Sequence, residues 1–278
     1  MKRSMRWVIS GLAVLGFAHG ALAADLDYLR GSEVFAPGPA TYSNWSGFYV
    51  GGQGGFTLAD VTFGAGANAL LNSMLTTGLL GTPQLSQSVP TVLKDSATGA
   101  AYGGFVGYNT QWENVVLGIE ANYNRTSIGA LSSTTVPLSL PNIGTGTETS
   151  SAHITDYATF RGRFGYIFGR FMPYAMLGVA LGRAEFTDFA RVQFTPVVNN
   201  IPQPNVDVFG SATQRTIGLG YAAGFGLDVL LTDCIFLRGE YEFINFASFG
   251  QTRNLVAGQP FDHKVTLNSV RGAIGYKF

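Results

Sequence analysis

The feature of this 278-residue chain that most limits its fold is a period of two in its apolar side chains. Between Gln214 and Leu231, apolar and aromatic residues alternate with glycine, alanine and aspartate. Successive side chains of a β-strand point to opposite faces, so this alternation predicts a strand with one apolar face and one small or polar face. Eight stretches share the pattern: about 46–57, 100–111, 115–126, 153–168, 172–187, 214–231, 235–247 and 264–278.

The connections between these stretches alternate in length. Residues 112–114, 169–171 and 232–234 are tight turns, whereas the other connections span roughly 42, 26, 26 and 16 residues. A tilted strand needs at least ~9 to 11 residues to cross a bilayer, and every stretch reaches that length. Short turns on one side and long loops on the other are typical of up-and-down barrels in the bacterial outer membrane. The predicted fold is all-β: an eight-stranded antiparallel up-and-down transmembrane β-barrel with short periplasmic turns and long extracellular loops.

Composition excludes several other classes of protein. Charged residues make up only 12% of the chain, against roughly 25% in an ordinary soluble domain. Zero net charge argues against a basic nucleic-acid-binding face, and 46% hydrophobic residues argue against disorder. Cys234 is the only cysteine, so neither an intrachain disulfide nor a cysteine-rich metal site can form. We expect no metal and no cofactor.

The first residues predict export. Lys2, Arg3 and Arg6 precede an apolar run over 7–18, and an Ala-Leu-Ala cleavage pattern ends at Ala23. We therefore predict a cleaved signal peptide over 1–23, an irregular, proline-containing lead-in over 24–44, and the barrel over 45–278.

Alternation alone does not tell which face points outward, because a soluble lipocalin-like barrel alternates too. Aromatic residues, however, gather near the short turns, where the rings of tryptophan and tyrosine favour the lipid headgroup level. The predicted girdle consists of Trp45, Trp112, Phe168, Phe171, Tyr174 and Tyr276. This arrangement favours a barrel whose apolar face meets lipid and predicts the bacterial outer membrane as its location.

Charged side chains fall on the opposite, inward face. By parity these are Glu120, Arg161, Arg163, Arg238, Glu240, Glu242 and Arg271. Opposite charges buried in a narrow lumen must pair, so we predict an interlocked plug that blocks it. A proton or ion path through the same residues is the alternative.

Several motifs resemble the RopB-type outer-membrane proteins of alphaproteobacteria, a family of OmpA-like eight-stranded barrels. The resemblance lies in Trp45–Gly55, Arg161–Tyr166, Leu227–Phe243 and Val270–Phe278. It implies an abundant structural protein with surface-exposed loops. The ending, with Ile274, Tyr276 and Phe278 on one face, resembles the signal read by the barrel-assembly machinery.

One stretch of the first long connection departs from that family. Residues 67–80 are unusually apolar and predict a short amphipathic helix that lies on the outer leaflet or caps the barrel, in preference to an extended hydrophobic loop.

The predicted function is a non-enzymatic envelope role, with loops that contact surface ligands. Outer-membrane lipids, lipopolysaccharide and the assembly machinery are the expected partners, with an unknown host or surface ligand and no nucleic acid. A small porin-like channel is the main alternative, and a soluble exported binder is another. A barrel enzyme that modifies lipids is a further alternative, because Ser150 and Ser151 lie close to His153 in the sequence and Asp262 precedes His263.

Overall fold

A computed structural model describes residues 43–64, 67, 70, 71, 74, 94–138, 143–198, 201–249 and 263–278. The predicted signal peptide over 1–23 lies outside these residues, as does the lead-in apart from residues 43 and 44. Asp262, one of the candidate catalytic residues, also lies outside them.

Within the described residues, eight long antiparallel strands close into a ring, which confirms the predicted fold class. The order around the ring is β1-β10-β9-β8-β5-β4-β3-β2, so the last strand pairs with the first. A short hairpin, β6–β7, lies in the connection between β5 and β8. The strands are β1 (Gly47–Thr62), β2 (Lys94–Trp112), β3 (Val115–Leu138), β4 (Ile143–Tyr166), β5 (Phe171–Thr195), β6 (Val197–Val198), β7 (Ile201–Pro202), β8 (Val206–Leu230), β9 (Ile235–Phe249) and β10 (His263–Lys277).

The outer wall of the barrel is apolar near the short turns. Leu219, Phe225, Leu237 and Ile274 all point outward, with exposed fractions of 63%, 63%, 44% and 56%. An unpaired backbone group costs several kcal/mol in hydrocarbon, and ring closure leaves no sheet edge in this apolar zone. No helix among the described residues is long and apolar enough to span a membrane.

The apolar zone ends at one level on four neighbouring strands. Moving away from the short turns, the outward side chains change from apolar to charged at Arg125, Asp156, Arg183 and Arg215. Ten residues separate Val115 from Arg125, which at ~3.4 Å per residue and a tilt of ~40° spans about 26 Å. This height matches the ~25 Å lipid-facing band of known outer-membrane barrels. We call this zone the apolar band and its charged end the outer boundary.

Beyond the outer boundary the strands continue, where the sequence predicted long loops. That prediction of loops was wrong for the connections from 127 to 152 and from 188 to 213. The β3–β4 pairing runs to Leu138 and Gly144, and the β5–β8 pairing runs to Phe194 and Val206. On β4 threonine alternates with glycine and carries no apolar period, so the pattern missed that segment, whereas on β5 the alternation of Ala190, Val192 and Phe194 could have identified the strand. We call the parts of β3, β4, β5 and β8 beyond the outer boundary the extension.

A helix from the first long connection packs against the inner face of the extension. Ala67, Leu70, Leu71 and Met74 are helical. Leu70 and Leu71 are buried in one cluster with inward side chains of β5, namely Ala190, Val192 and Phe194. These helical residues therefore face the protein interior and do not lie on a lipid surface; the rest of 67–80 is outside the described residues.

Two register shifts lie at the outer boundary. The β3–β4 ladder shifts between Arg125 and Ile128, and the β4–β5 ladder shifts between Ile154 and Asp156. On β4 the buried residues have odd numbers between Thr155 and the short turn, over residues 156–166. In the extension, over residues 144–154, they have even numbers. A bulge with one extra residue explains this change of parity.

Candidate functional site

The structure places all seven charged residues of the predicted plug inside the barrel. Each is at most 5% exposed, and together they come from four strands. Strand β3 contributes Glu120, β4 contributes Arg161 and Arg163, β9 contributes Arg238, Glu240 and Glu242, and β10 contributes Arg271.

Glu120 is the carboxylate on which three arginines converge. Its Oε1 accepts a hydrogen bond from Arg161 Nη2 at 2.5 Å, and its Oε2 accepts bonds from Arg238 Nη1 at 2.8 Å and Arg163 Nη1 at 3.3 Å. Charge-assisted hydrogen bonds of this kind are about twice as strong as neutral ones. Glu120 thereby ties β3 to β4 and, across the lumen, to β9.

A second group of ion pairs joins β4, β9 and β10. Arg161 donates to Glu240 and to Glu242, each at 2.7 Å, and Arg271 donates to the same two carboxylates, each at 2.6 Å. Arg161 therefore belongs to both groups, which makes the cluster continuous across the barrel.

Asp228 on β8 completes the cluster and was not among the residues predicted for it. Its side chain is 1% exposed and accepts hydrogen bonds from Arg163 at 2.7 Å and from Arg238 at 2.8 Å. Its even-numbered position on β8, opposite the apolar odd positions, was the signal that could have identified it. With Asp228 the cluster holds four arginines and four carboxylates, so its formal charge is balanced. We call these eight residues the lumen network.

Glycines on neighbouring strands leave room for the network. A Cβ atom on Gly178 would lie 2.6 Å from Arg161 Cα, and one on Gly226 would lie 2.5 Å from the ring of Tyr174. Larger side chains at these two positions would displace the network or the backbone beside it.

Tyr174 lies inside the barrel, so its assignment to the aromatic girdle was wrong. The side chain is 5% exposed, its hydroxyl donates to Glu240 at 2.6 Å, and the Arg163 guanidinium lies 3.8 Å from its ring centre. Tyr49 is also inside and donates its hydroxyl to Glu120 at 2.8 Å. An inward position on β5 and the partners available there outweigh nearness to a turn.

Trp45 is a second error in the predicted girdle. It is 1% exposed and its ring contacts Phe236, with 6.0 Å between ring centres. It belongs to an aromatic and aliphatic cluster that fills the lumen at the short-turn end, together with Tyr49, Phe105, Val116, Ile167, Met172, Leu230 and Phe236.

The other predicted girdle residues do face outward near the short turns. Trp112 is 68% exposed, and Phe168, Phe171 and Tyr276 are 60%, 51% and 47% exposed. On β10 the outward face also carries Ile274, and Phe278 follows the strand with 74% exposure. The three residues of the predicted assembly signal therefore share the lipid-facing side.

Polar and then apolar side chains fill the lumen beyond the network. Gln53 donates to Asn122 at 2.8 Å and to Asn124 at 2.5 Å. Further out, a large apolar cluster that includes Ile128 and Ile154 occupies the interior. Along its axis the lumen thus holds an aromatic layer, a charged layer, an amide layer and an apolar layer, an arrangement suited to sealing the barrel and to holding its strands in register.

The candidate catalytic residues do not come together. Ser150 points inward and donates to Asp188 at 2.6 Å. Ser151 and His153 lie on the opposite, outward face of β4, and the Ser151 hydroxyl donates to the backbone oxygen of Thr187 at 3.4 Å. His263 is buried, stacks on Phe186 at 4.1 Å between ring centres, and accepts a hydrogen bond from Gly64 N–H at 3.0 Å. Among the described residues no group of three or more histidine, cysteine, aspartate or glutamate side chains could hold a metal ion.

Asp188 is a buried carboxylate of the extension, outside the membrane-spanning segments. Burial raises the pKa of its carboxyl above the usual range, and the hydrogen bond from Ser150 offsets part of that rise. Burial in the folded extension therefore disfavours the charged form of Asp188 relative to an exposed aspartate.

Comparisons with known proteins agree with this architecture. Residues 12–278 match the family described as "outer membrane protein beta-barrel domain". The 22 kDa outer membrane protein of Rhizobium leguminosarum bv. viciae is 24% identical over 241 residues, which cover 84% of this chain and 79% of that protein. The 25 kDa outer-membrane immunogenic protein of Brucella abortus is 27% identical over 180 residues, which cover 63% of this chain and 64% of that protein. These relatives confirm the alphaproteobacterial resemblance, although the match spans just under two thirds of the Brucella protein.

Two solved structures align along most of their length with this chain. Neisserial surface protein A gives a TM-score of 0.36 at 14% identity, covering 84% of this chain and 98% of that one. The outer membrane protein OprG of Pseudomonas aeruginosa gives 0.35 at 14% identity, covering 84% and 96%.

Proposed function

The chain belongs to the outer membrane protein β-barrel family and is located in the bacterial outer membrane, and from this premise we propose a non-conducting, non-enzymatic envelope role. In this role the membrane-spanning part of the barrel anchors the protein. The extension carries the surface that meets the exterior. Residues 1–23 act as the export signal, and Ile274, Tyr276 and Phe278 are read by the barrel-assembly machinery.

The lumen network is the observation that carries the proposal. Eight charged side chains, each at most 5% exposed, satisfy one another in the middle of the barrel. An eight-stranded barrel has an interior that side chains just fill, so no continuous water path is needed to solvate these charges. Moving an ion along the axis would require breaking several buried pairs at once, at about 3–5 kcal/mol for each partner removed.

The extension supports a role in surface contacts. Four strands rise beyond the outer boundary around an apolar core, and they display threonine, serine and charged side chains outward. The threonine hydroxyls of Thr135 and Thr147 pair across β3 and β4 at 3.0 Å, and Arg191 pairs with Asp207 across β5 and β8. A rigid sheet of this kind presents a fixed polar surface to whatever ligand it meets.

Conductance in planar bilayers tests the proposal against the small-pore alternative. Protein whose folding is first verified by heat-modifiable migration on a gel should give no steady channel. A steady, reproducible ionic conductance from the folded protein would overturn the non-conducting role.

A lipid A deacylation assay tests the enzyme alternative. Purified protein should release no fatty acid above the level of a His153→Ala variant, because Ser150 and His153 lie on opposite faces of β4 and the Ser151 hydroxyl donates to a backbone oxygen of β5. Acyl release by the native chain that the His153→Ala variant lacks would show that the barrel is an enzyme.

A further inference from the structure

An apolar groove crosses the lipid-facing wall of the barrel on strands β1 to β5. Its volume is about 640 Å³. Small outward residues, Gly104, Ala121 and Ala158, alternate in the strand registers with large ones, so the wall is indented there. The large residues beside the indentation include Tyr123, Phe160 and Leu181.

The groove leads toward the outer boundary. A smaller cleft of about 200 Å³ shares Tyr123, Ala158 and Leu181 with the groove, and shares Asp156 and Arg183 with a third cleft further out. The three clefts therefore form one path along the wall, from the apolar band to the charged side chains at its edge.

Three arginines line the outer cleft, which has a volume of about 750 Å³. Arg125 on β3 is in register with Asp156 on β4, and Asp156 is in register with Arg183 on β5. Arg215 on β8 is in register with Glu185, which is the next outward-facing residue of β5 after Arg183. All three arginines are exposed on the outer wall.

The two carboxylates in this cleft already have partners. Asp156 accepts a hydrogen bond from the Tyr123 hydroxyl at 2.6 Å, and Glu185 accepts one from Arg215 at 2.8 Å. Three arginines and two carboxylates leave a formal excess of one positive charge at the end of an apolar groove. The Arg215–Glu185 pair is solvent-exposed, with side chains 80% and 35% exposed, so rearranging it costs little.

We infer that this path is a binding site for the phosphorylated, multiply acylated glycolipid of the outer leaflet. Its acyl chain lies in the groove over Ala121 and Ala158, and its phosphate meets the guanidinium groups of Arg125, Arg183 and Arg215. Arginine forms paired hydrogen bonds with phosphate oxygens, which makes it well suited to this headgroup. The inference is independent of whether the barrel conducts.

The position of the site favours a lipid over a soluble anion. The arginines lie where the apolar band ends, at the level of the headgroups. The cleft between them continues directly into the groove on the lipid-facing wall. A glycolipid can occupy both parts at once, so each part raises the effective concentration of the other.

Native mass spectrometry of the purified full-length protein provides the test. Delipidated protein in detergent is titrated with phosphorylated lipid A, with the same lipid A stripped of its phosphates, and with phosphatidylglycerol. We expect one lipid A bound per barrel, and at least about tenfold weaker binding of the other two lipids.

Variants separate the two halves of the site. The triple variant Arg125→Gln, Arg183→Gln, Arg215→Gln should weaken lipid A binding by about tenfold or more, because it removes the charged hydrogen bonds. Ala158→Phe should also weaken binding by filling the groove. Arg191→Gln, an exposed arginine further out on β5, and Ala175→Phe, a lipid-facing alanine nearer the short turns, are the matched controls and should bind as the native chain does.

Folding of every variant is verified by heat-modifiable migration before binding is compared. Unchanged lipid A binding by the folded triple variant would overturn the assignment. Equal binding of phosphatidylglycerol would overturn it as well, because any anionic acylated lipid would then fill the path. Equal binding of the lipid A stripped of its phosphates, or equal weakening by the matched controls, would also overturn it.

Discussion

The membrane-spanning part of the barrel and its extension are built from the same strands with opposite polarity. On β4, the spanning part buries Arg161 and exposes Phe164 on the outer wall. In the extension, the same strand buries Ile154 and exposes Thr145. The same face of the sheet lines the interior along the whole strand, but on β4 its side chains change from charged to apolar near the outer boundary.

The reversal shows that the surrounding medium decides which face carries the polar groups. In the bilayer, apolar side chains gain nothing by turning inward, and charged ones must turn inward and pair with one another. In water, burial of apolar surface is favourable at roughly 25 cal/mol per Å², so Leu71, Val192 and Phe194 form an ordinary core. One chain therefore builds ion pairs into the interior of the spanning part, beside the aromatic layer at the short turns, and fills the extension with aliphatic packing.

Arg238→Ala should give the largest effect, because it breaks the interior of the spanning part. Arg238 pairs with Glu120 and Asp228, and its loss leaves four buried carboxylates with only three arginines to balance their charge. We expect destabilisation of about 3–5 kcal/mol, measured by urea unfolding in lipid vesicles and by the temperature of heat-modifiable migration.

Arg191→Ala is the control in the extension. Arg191 forms an ion pair with Asp207, but both side chains are well exposed, so its removal should produce no measurable change. Equal effects of the two alanine variants would contradict the difference in interior chemistry between the two regions.

A lipid-facing arginine should have the next largest effect. Phe225 and Phe209 lie on β8, are 63% and 70% exposed, and each contacts one aromatic ring on a neighbouring strand. Phe225 lies near the middle of the apolar band, so Phe225→Arg should cost about 2–4 kcal/mol in vesicles. Phe209→Arg, in the extension, should leave unfolding in urea unchanged. A similar loss of stability in both variants would show that the outer boundary does not lie between these two residues.

The smallest predicted effect concerns the pH dependence of the extension. Burial raises the pKa of Asp188 in the folded protein above its unfolded value. Protonation of Asp188 therefore stabilises the folded extension. This stabilisation is complete below the ordinary aspartate pKa of about 3.9 and is lost as pH rises through the raised value. Amide hydrogen exchange of the extension should therefore be slower in acid, after correction for intrinsic rates. Asp188→Asn should remove this dependence while Arg191→Ala keeps it, and a native-like pH profile in Asp188→Asn would refute the assignment.

Parity along the strands and the alternating lengths of the connections predicted the ring, and the aromatic residues near the short turns then indicated which face carries the inward charges. Once Leu219 and Phe225 are assigned to the outer wall, the even positions of β8 must face inward, and the same argument orients Arg238 on β9 and Arg271 on β10. Asp228 follows from that parity too, yet the inward positions beside it on β8 are Gly226 and Leu230, so it was the only charged residue on that face and was not included in the network.

The errors arose where another force was stronger than the pattern used. Tyr174 and Trp45 were assigned by their nearness to the short turns, but inward partners fix both: Glu240 for the tyrosine hydroxyl and Phe236 for the indole ring. On β5 the alternation of Ala190, Val192 and Phe194 was overlooked, but on β4 the extension was missed because Thr145 and Thr147 alternate with Gly144 and Gly146 and show no apolar period. Only the long-range pairing with β3 and β5 makes these residues strands.

The extra residue at Thr155 gives the outer half of β4 a register of its own. Adding or removing residues in pairs beyond that point would lengthen or shorten the β3–β4 hairpin without turning a single side chain of the bilayer-embedded wall from one face to the other. A barrel with this feature can change the shape it displays outside the cell while the anchor beneath it stays untouched.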